Sequence, residues 1–112
     1  MIDWKRVEEL KEEIGADGFV EVADMFLDEA EGAVRALLAG LPAKEVEEQL
    51  HFLKGSALNL GLSDLAAICQ DGERKAAAGQ AMQIDLAQVS TIWRASRAGL
   101  LGGLSDDRAG AA

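Results

Sequence analysis

Apolar residues recur along this chain at intervals of three and four positions, and they hardly ever alternate with polar residues over a sustained stretch. Intervals of three and four place side chains on one face of an α-helix, whereas a half-buried strand needs an interval of two. Alanine, leucine, glutamate and glycine dominate the composition, with one proline and no tyrosine. Because this composition also favours helices over sheets, the sequence predicts an all-α fold.

Capping residues and glycines divide the chain into five predicted helices. Aspartate or serine suits the start of a helix and glycine its end, while proline fits a first turn, where its missing N–H needs no partner. The predicted helices run from Asp3 to Gly15, from Asp17 to Ala39, from Pro42 to Gly61, from Ser63 or Asp64 to Gly79, and from Asp85 to Gly102-Gly103.

The lengths of these segments predict their arrangement. Short connections favour antiparallel neighbours, so we expect an antiparallel up-down-up-down four-helix bundle with a short additional N-terminal helix across one end. A chain of 112 residues is one domain by size. We assign residues 1–103 to that domain and expect residues 104–112 to form a disordered tail.

Each predicted helix has one apolar face that would pack into the core. The inward-facing residues are predicted to be Trp4, Val7, Leu10 and Ile14; Phe19, Val22, Ala23, Phe26, Ala30, Val34 and Leu37; Val46, Leu50, Leu53, Ala57 and Leu60; Leu65, Ile68, Cys69, Gly72 and Ala76; and Leu86, Val89, Ile92, Trp93 and Leu100. The fourth face is unusually small, and a mid-helix glycine costs about 1 kcal/mol relative to alanine. We therefore expect Trp93 to fill the groove beside Gly72 and Ala76.

The net charge of −9 is concentrated in the first half of the chain: residues 1–50 carry 14 acids and 5 bases, and residues 51–112 carry 6 of each. A solvated acidic face explains this excess. Basic clusters that bind phosphate backbones are missing, which argues against a nucleic-acid partner. No run approaches the ~20 apolar residues that cross a bilayer, and the N-terminus lacks the apolar segment of a signal peptide. We expect a cytoplasmic protein without a membrane partner.

The single histidine, His51, is the main candidate for chemistry. On a helix, it points roughly 140° away from the centre of the stripe that carries Leu50 and Leu53, towards water. Lys54, Gly55 and Leu58 follow it at i+3, i+4 and i+7 and share its face. The pattern thus displays an imidazole beside a cation, with open space next to it.

An exposed imidazole can act as a base, bind a metal or accept a phosphoryl group. Base catalysis needs a pocket and a positioned partner, and no serine, cysteine or aspartate with a recognisable spacing supplies them. A metal site could use only Glu47 and Glu48 besides His51 and would be weak. Phosphoryl acceptance asks for less: an exposed ring nitrogen, a nearby cation and room for a partner.

Five neighbours of His51 receive expected roles. Lys54 would offset part of the phosphoryl charge, and Gly55 would leave access to the ring. Leu58 would add apolar contact for docking, and Glu47 and Glu48 are further docking candidates, of which one could orient the ring through one nitrogen. Mid-helix there are no free backbone N–H groups to hold the phosphoryl group, so it should stay transferable.

The residues from His51 onward read His51-x-Leu53-Lys54-Gly55-Ser56-Ala57-x-x-Leu60-Gly61-x-x-x-Leu65-x-x-x-Cys69-x-x-x-Glu73, and Ile14-Gly15-x-x-Gly18-Phe19 precedes them. This pattern resembles histidine phosphotransfer (HPt) domains of two-component phosphorelays, over roughly residues 3–100. Gly72 departs from the family's pattern, which usually has a large apolar residue before the glutamate.

The resemblance implies a four-helix bundle in which His51 takes a phosphoryl group from the aspartyl phosphate of a receiver domain and passes it to another receiver. The magnesium ion and the acid-base groups would belong to the receiver, so the chain would be a phosphocarrier without a cofactor of its own and not an enzyme. By matching position, Lys54 is the charge partner and Gly55 the access residue. The implied partners are receiver domains of response regulators or hybrid histidine kinases. We expect a free-standing, monomeric carrier.

Two other functions compete with this interpretation. The chain could be a helical regulator that binds a kinase or receiver without being phosphorylated, although a pure binder has no need of the nucleophile. A metal-dependent enzyme ranks third because ligands are few. Cys69 is expected to be a small buried apolar residue and not a reactive thiol.

Overall fold

The computed structural model describes residues 2–111, with side chains described as far as Leu104. It contains four α-helices and a short 3-10 helix: α1 (Trp4–Ala39), α2 (Ala43–Leu60), α3 (Ser63–Ala77), the 3-10 turn (Ala81–Gln83) and α4 (Leu86–Ala111). Over residues 2–111 the only β-type pairing is an isolated antiparallel bridge between Ile2 and Leu62. The predicted all-α class is confirmed. None of the described helices is both long enough and apolar enough to cross a membrane.

The four helices form a ring around one core. α1 packs against α2 and α4, and α3 also packs against α2 and α4, so α1 and α3 lie diagonally across from each other. The predicted inner stripe of α2 is confirmed, since all five of its residues are buried: Val46, Leu50, Leu53, Ala57 and Leu60. Three residues predicted to face inward are instead exposed, namely Trp4, Ile14 and Val22.

The first two predicted helices are joined in α1. The break predicted at Gly15 is present as a kink, with φ 82° and ψ 160° at that residue. The predicted cap at Asp17 is wrong, because the backbone is helical again before that residue. Asp3 does cap the helix: its side chain accepts a hydrogen bond from the backbone N–H of Arg6 at 3.2 Å.

The predicted end of the last helix at Gly102-Gly103 is also wrong, because α4 continues to Ala111. Gly103 serves packing instead, as does Gly99 one turn earlier, whereas a Cβ at Gly102 would meet no described atom within 4 Å. A Cβ at Gly103 would lie 2.9 Å from two ring atoms of Trp4, and one at Gly99 would lie 2.6 Å from Cδ1 of Ile2. The N-terminal segment therefore lies directly on this face of α4. Side chains after Leu104, and Ala112 as a whole, fall outside the described residues, so the disordered tail of residues 104–112 stays a prediction.

The groove beside Gly72 is filled by other residues than expected. A Cβ at Gly72 would lie 2.9 Å from Cδ1 of Leu50 and 3.5 Å from Cγ2 of Ile84. Trp93 packs edge-to-face on Phe26 of α1, with 6.0 Å between ring centroids. The hypothesis that Trp93 fills the groove is therefore wrong, and the glycine admits Leu50 of α2.

The C-terminal end of α2 is tied to the start of the chain. Gly61 ends the helix in a left-handed conformation, with φ 79° and ψ 19°. Its carbonyl accepts a hydrogen bond from the backbone N–H of Asp3 at 2.6 Å, and a Cβ at Gly61 would lie 2.6 Å from the carbonyl oxygen of Asp3. Arg6 adds hydrogen bonds to the backbone and side chain of Asn59. These contacts fix the helix that carries His51.

Candidate functional site

His51 lies near the middle of α2 and points away from the core. Its side chain is 72% exposed, whereas its neighbours Leu50 and Leu53 are fully buried. The solvent-facing orientation follows from the stripe of α2, since a residue one position after a buried leucine is rotated about 100° away from it. The ring is therefore accessible to another molecule.

One ring nitrogen of His51 is held by α3. Nδ1 lies 3.0 Å from Oε2 and 3.2 Å from Oε1 of Glu73, which comes 22 residues later in the chain. An ionised carboxylate can only accept a hydrogen bond, so Nδ1 carries the hydrogen and donates it. In the neutral ring, Nε2 then has the free lone pair. Among residues 2–104, no side chain or backbone group forms a hydrogen bond with Nε2.

Lys54 reaches the same carboxylate. Its Nζ donates to Oε1 of Glu73 at 3.0 Å, and the side chains of Lys54 and Glu73 are only 21% and 19% exposed. The hydrogen bond from the Lys54 ammonium lowers the pKa of Glu73; partial burial opposes this, and the contact with the His51 ring adds to it. Glu73 is therefore ionised at neutral pH and links the ammonium to the imidazole.

Gly55 and Leu58 lie about one and two turns after His51 on α2. Gly55 is exposed, and a Cβ built on it would meet no atom within 4 Å. Leu58 is 58% exposed and borders a groove of about 400 Å³ that continues along α3 past Ala66 and Gln70. The structure thus leaves open space at Gly55 and exposed apolar surface at Leu58, on the helix that carries His51.

Glu73 was not predicted as a ring partner. The prediction considered Glu47 and Glu48 because they are the only acids within one turn of His51 in the sequence. In the structure Glu48 is exposed and Glu47 is half-buried, and the hydrogen-bond partner of the ring is Glu73. The available signal was that Glu73 closes the motif that begins at His51. Among the described residues, no cluster of three or more histidine, cysteine, aspartate or glutamate side chains could hold a metal ion.

Cys69 lies one turn before Glu73 on α3 and is completely buried. Burial, with a smaller contribution from the charge of Glu73, raises the pKa of its thiol to about 12. Since the thiolate is the reactive form, the thiol is inert at neutral pH. The prediction of a small buried apolar residue is confirmed.

An exposed imidazole, oriented through one nitrogen and open at the other, can attack an electrophile that a second protein presents. A family model described as Hpt domain matches residues 21–100. The chain belongs to the Hpt domain family. Hpt domains carry out histidine phosphotransfer in phosphorelays, where they act as phosphocarrier modules and interact with receiver domains. Comparison with curated proteins and with solved structures found no match to this Hpt domain.

The family match covers α2 and α3 completely, α1 from residue 21 onward, and α4 as far as Leu100. It therefore includes His51, Lys54 and Glu73. The family predicted from the sequence motif is confirmed. Gly72, which departs from the usual Hpt pattern, lies beneath Leu50 and does not touch the exposed ring.

Proposed function

We propose that Nε2 of His51 accepts a phosphoryl group from the aspartyl phosphate of one receiver domain and passes it to the aspartate of another. The observation that supports this most strongly is the orientation of the ring. Nδ1 is occupied by Glu73, and Nε2 belongs to a side chain that is 72% exposed. The nucleophilic nitrogen is thus the one that a partner can approach.

The proposed transfer needs no proton to move. The lone pair of Nε2 attacks phosphorus, the bond between phosphorus and the receiver's aspartyl oxygen breaks, and the aspartate leaves as a carboxylate. The ring keeps its hydrogen on Nδ1 and becomes positively charged, which the neighbouring carboxylate of Glu73 stabilises. The reverse step returns the neutral ring. The magnesium ion that stabilises the aspartyl phosphate belongs to the receiver in this proposal.

Lys54 has two roles in the proposed reaction. It holds Glu73 ionised and in place through the 3.0 Å contact. It also belongs to the same hydrogen-bonded group as the ring, so its charge offsets part of the charge of about −1.5 to −2 that a phosphoryl group brings.

Gly55 is proposed to give a receiver access to the ring. Among the described residues nothing explains a glycine here, because its surroundings are open and its φ is not positive. A mid-helix glycine costs about 1 kcal/mol relative to alanine. A requirement for space, set by the docked partner, accounts for that cost.

We further propose that receivers of response regulators or hybrid histidine kinases dock on the exposed face around His51. Leu58, Glu47 and Glu48 lie within two turns of His51 on α2 and would contribute to that contact. The chain would act as a monomer with an up-down-up-down arrangement, which the ring of contacts between consecutive helices supports.

The direct test mixes the protein with a ³²P-phosphorylated receiver and Mg²⁺. We expect label on the protein that is lost in acid and stable in alkali, and no label on His51→Gln. Receiver binding without labelling of the wild type would overturn the proposal and favour the regulator that binds without being phosphorylated.

Glu73 can be tested as a positioning residue by comparing two variants. Glu73→Gln keeps an oxygen that can accept the Nδ1 hydrogen, whereas Glu73→Ala removes it. We expect Glu73→Ala to slow single-turnover transfer on the order of tenfold or more, the scale of one hydrogen bond to a charged group, and Glu73→Gln to recover part of the loss. Equal rates for both variants and the wild type would exclude the role.

A further inference from the structure

A second polar site lies between α1 and α4. A cleft of about 360 Å³, here called the arginine cleft, is lined by Glu31, Arg35, Ser90, Trp93, Arg94 and Arg97. Three arginines against one acid make it a positively charged site on a chain with a net charge of −9. The cleft lies between α1 and α4. In the bundle this pair of helices is opposite the contact between α2 and α3, where His51 meets Glu73.

The single acid of the cleft is already fully used by the protein. The indole N–H of Trp93 donates to Oε2 of Glu31 at 2.9 Å, and Nε of Arg35 donates to Oε1 at 3.2 Å. The hydrogen bond from Trp93 lowers the pKa of Glu31, with Arg35 and Arg97 adding to the effect. Because Trp93 is buried in the core, this chain of contacts orients Arg35 at one wall of the cleft.

Other donors in the cleft are unused. Arg94 forms no ion pair with the described side chains, and Arg97 has only a longer-range attraction to Glu31. Ser90 is 4% exposed, and its hydroxyl has no hydrogen-bond partner among residues 2–104. A buried hydroxyl that lacks a partner is unfavourable, so its place in the cleft makes it available to an oxygen atom from outside the chain.

We propose that the arginine cleft binds the phosphate group of a small phosphorylated organic molecule. Guanidinium groups match phosphate oxygens through paired N–H donors. A tetrahedral phosphate offers acceptors to donors from both helices and to Ser90 at once, whereas the two oxygens of a carboxylate lie in one plane. Val34 and Leu38 also border the cleft and can contact the organic part. Such a ligand would leave the face around His51 free.

The chain contains two tryptophans, which makes the test specific. The ¹H–¹⁵N signal of the Trp93 indole reports on the cleft, and that of Trp4, which packs at Gly103, serves as an internal control. Inorganic phosphate, glycerol 3-phosphate and acetate would be titrated at constant ionic strength. We expect a saturable shift of the Trp93 signal with both phosphates, tighter binding of glycerol 3-phosphate, and no shift of the Trp4 signal.

Variants of the exposed arginines distinguish specific phosphate binding in the cleft from a general attraction of anions to positive charge. The double variant Arg94→Ala/Arg97→Ala should weaken phosphate binding at least tenfold. Arg74→Ala is the matched control, because Arg74 is 75% exposed on α3 and pairs with Asp71. Retention of the folded spectrum shows that the variants are intact. The proposal would be overturned by the absence of a saturable shift with either phosphate, by an equal response in the double variant, or by an equal response to acetate.

Discussion

Replacing Gly55 should change stability and phosphotransfer in opposite directions. The residue lies in the interior of α2, its φ is not positive, and a Cβ would meet no atom within 4 Å. A substitution to alanine therefore introduces neither a clash nor new buried surface. The effect on stability then comes from two sources: alanine prefers the helix more than glycine does, and it reduces the conformational freedom of the unfolded chain.

The magnitude follows from that preference. Alanine in a helix interior is favoured over glycine by about 0.5–1 kcal/mol, so Gly55→Ala should raise the free energy of unfolding by that amount. In a domain of this size, the gain corresponds to an increase in Tm of about 2–6 °C. Urea denaturation followed by circular dichroism measures the free energy, with an unchanged m-value showing that the folded and unfolded states are otherwise alike.

The larger variant Gly55→Leu tests access to His51. Leucine is also a better helix former than glycine, so this variant should remain folded and at least as stable as the wild type. Its side chain would occupy the space beside the ring, and we expect phosphoryl transfer from a receiver to slow by tenfold or more. A fall in stability for Gly55→Ala would refute the account of an unconstrained glycine. Unchanged transfer in Gly55→Leu would refute its role in access.

Three further predictions concern the surroundings of the site. Gly61→Ala should lower the free energy of unfolding, measured by urea denaturation, by about 2 kcal/mol or more. The reason is that the alanine would adopt a left-handed backbone conformation and its Cβ would lie 2.6 Å from the carbonyl oxygen of Asp3. An unchanged stability would contradict this close contact. Cys69 should react with a thiol reagent at neutral pH only as fast as the protein unfolds, and immediate labelling would show that its raised pKa and burial are wrong. Because the pKa of Glu73 is lowered in the folded state from an ordinary value of 4.5, its ion pair with Lys54 stabilises the fold above that pH, and the contribution is lost as the pH falls through the lowered pKa. The difference in free energy of unfolding between wild type and Lys54→Met should therefore shrink from pH 7 to pH 3, and a constant difference would rule this out.

The exposed half of the site could be predicted from helical periodicity alone. Once Leu50 and Leu53 are assigned to the buried stripe, the direction of His51 and the neighbours on its face follow. Glu73 could not be found in this way, because it lies on another helix and meets the ring only through the register between α2 and α3. Local spacing offered Glu47 and Glu48, which are close in sequence and do not bind the ring.

The wrong predictions about Gly103 and Trp93 have a common origin in tertiary contacts. Gly102-Gly103 was predicted to end α4 because glycine is common after a helix, yet there Gly103 lets the ring of Trp4 approach the helix. The prediction for Trp93 used only the size of the opposite face and ignored its indole N–H. That group needs a partner when it is buried, and Glu31 of α1 provides it. Gly15 was recognised as a break, but sequence alone did not distinguish a kink from a loop.

The position of phosphorus on the ring tests the central claim most directly. The protein would be phosphorylated by a receiver and examined by ³¹P NMR together with long-range ¹H–¹⁵N correlation of the ¹⁵N-labelled His51 ring. The account predicts phosphorus bonded to Nε2 while Nδ1 keeps its hydrogen towards Glu73. Phosphorus on Nδ1, or on any residue other than His51, would contradict it.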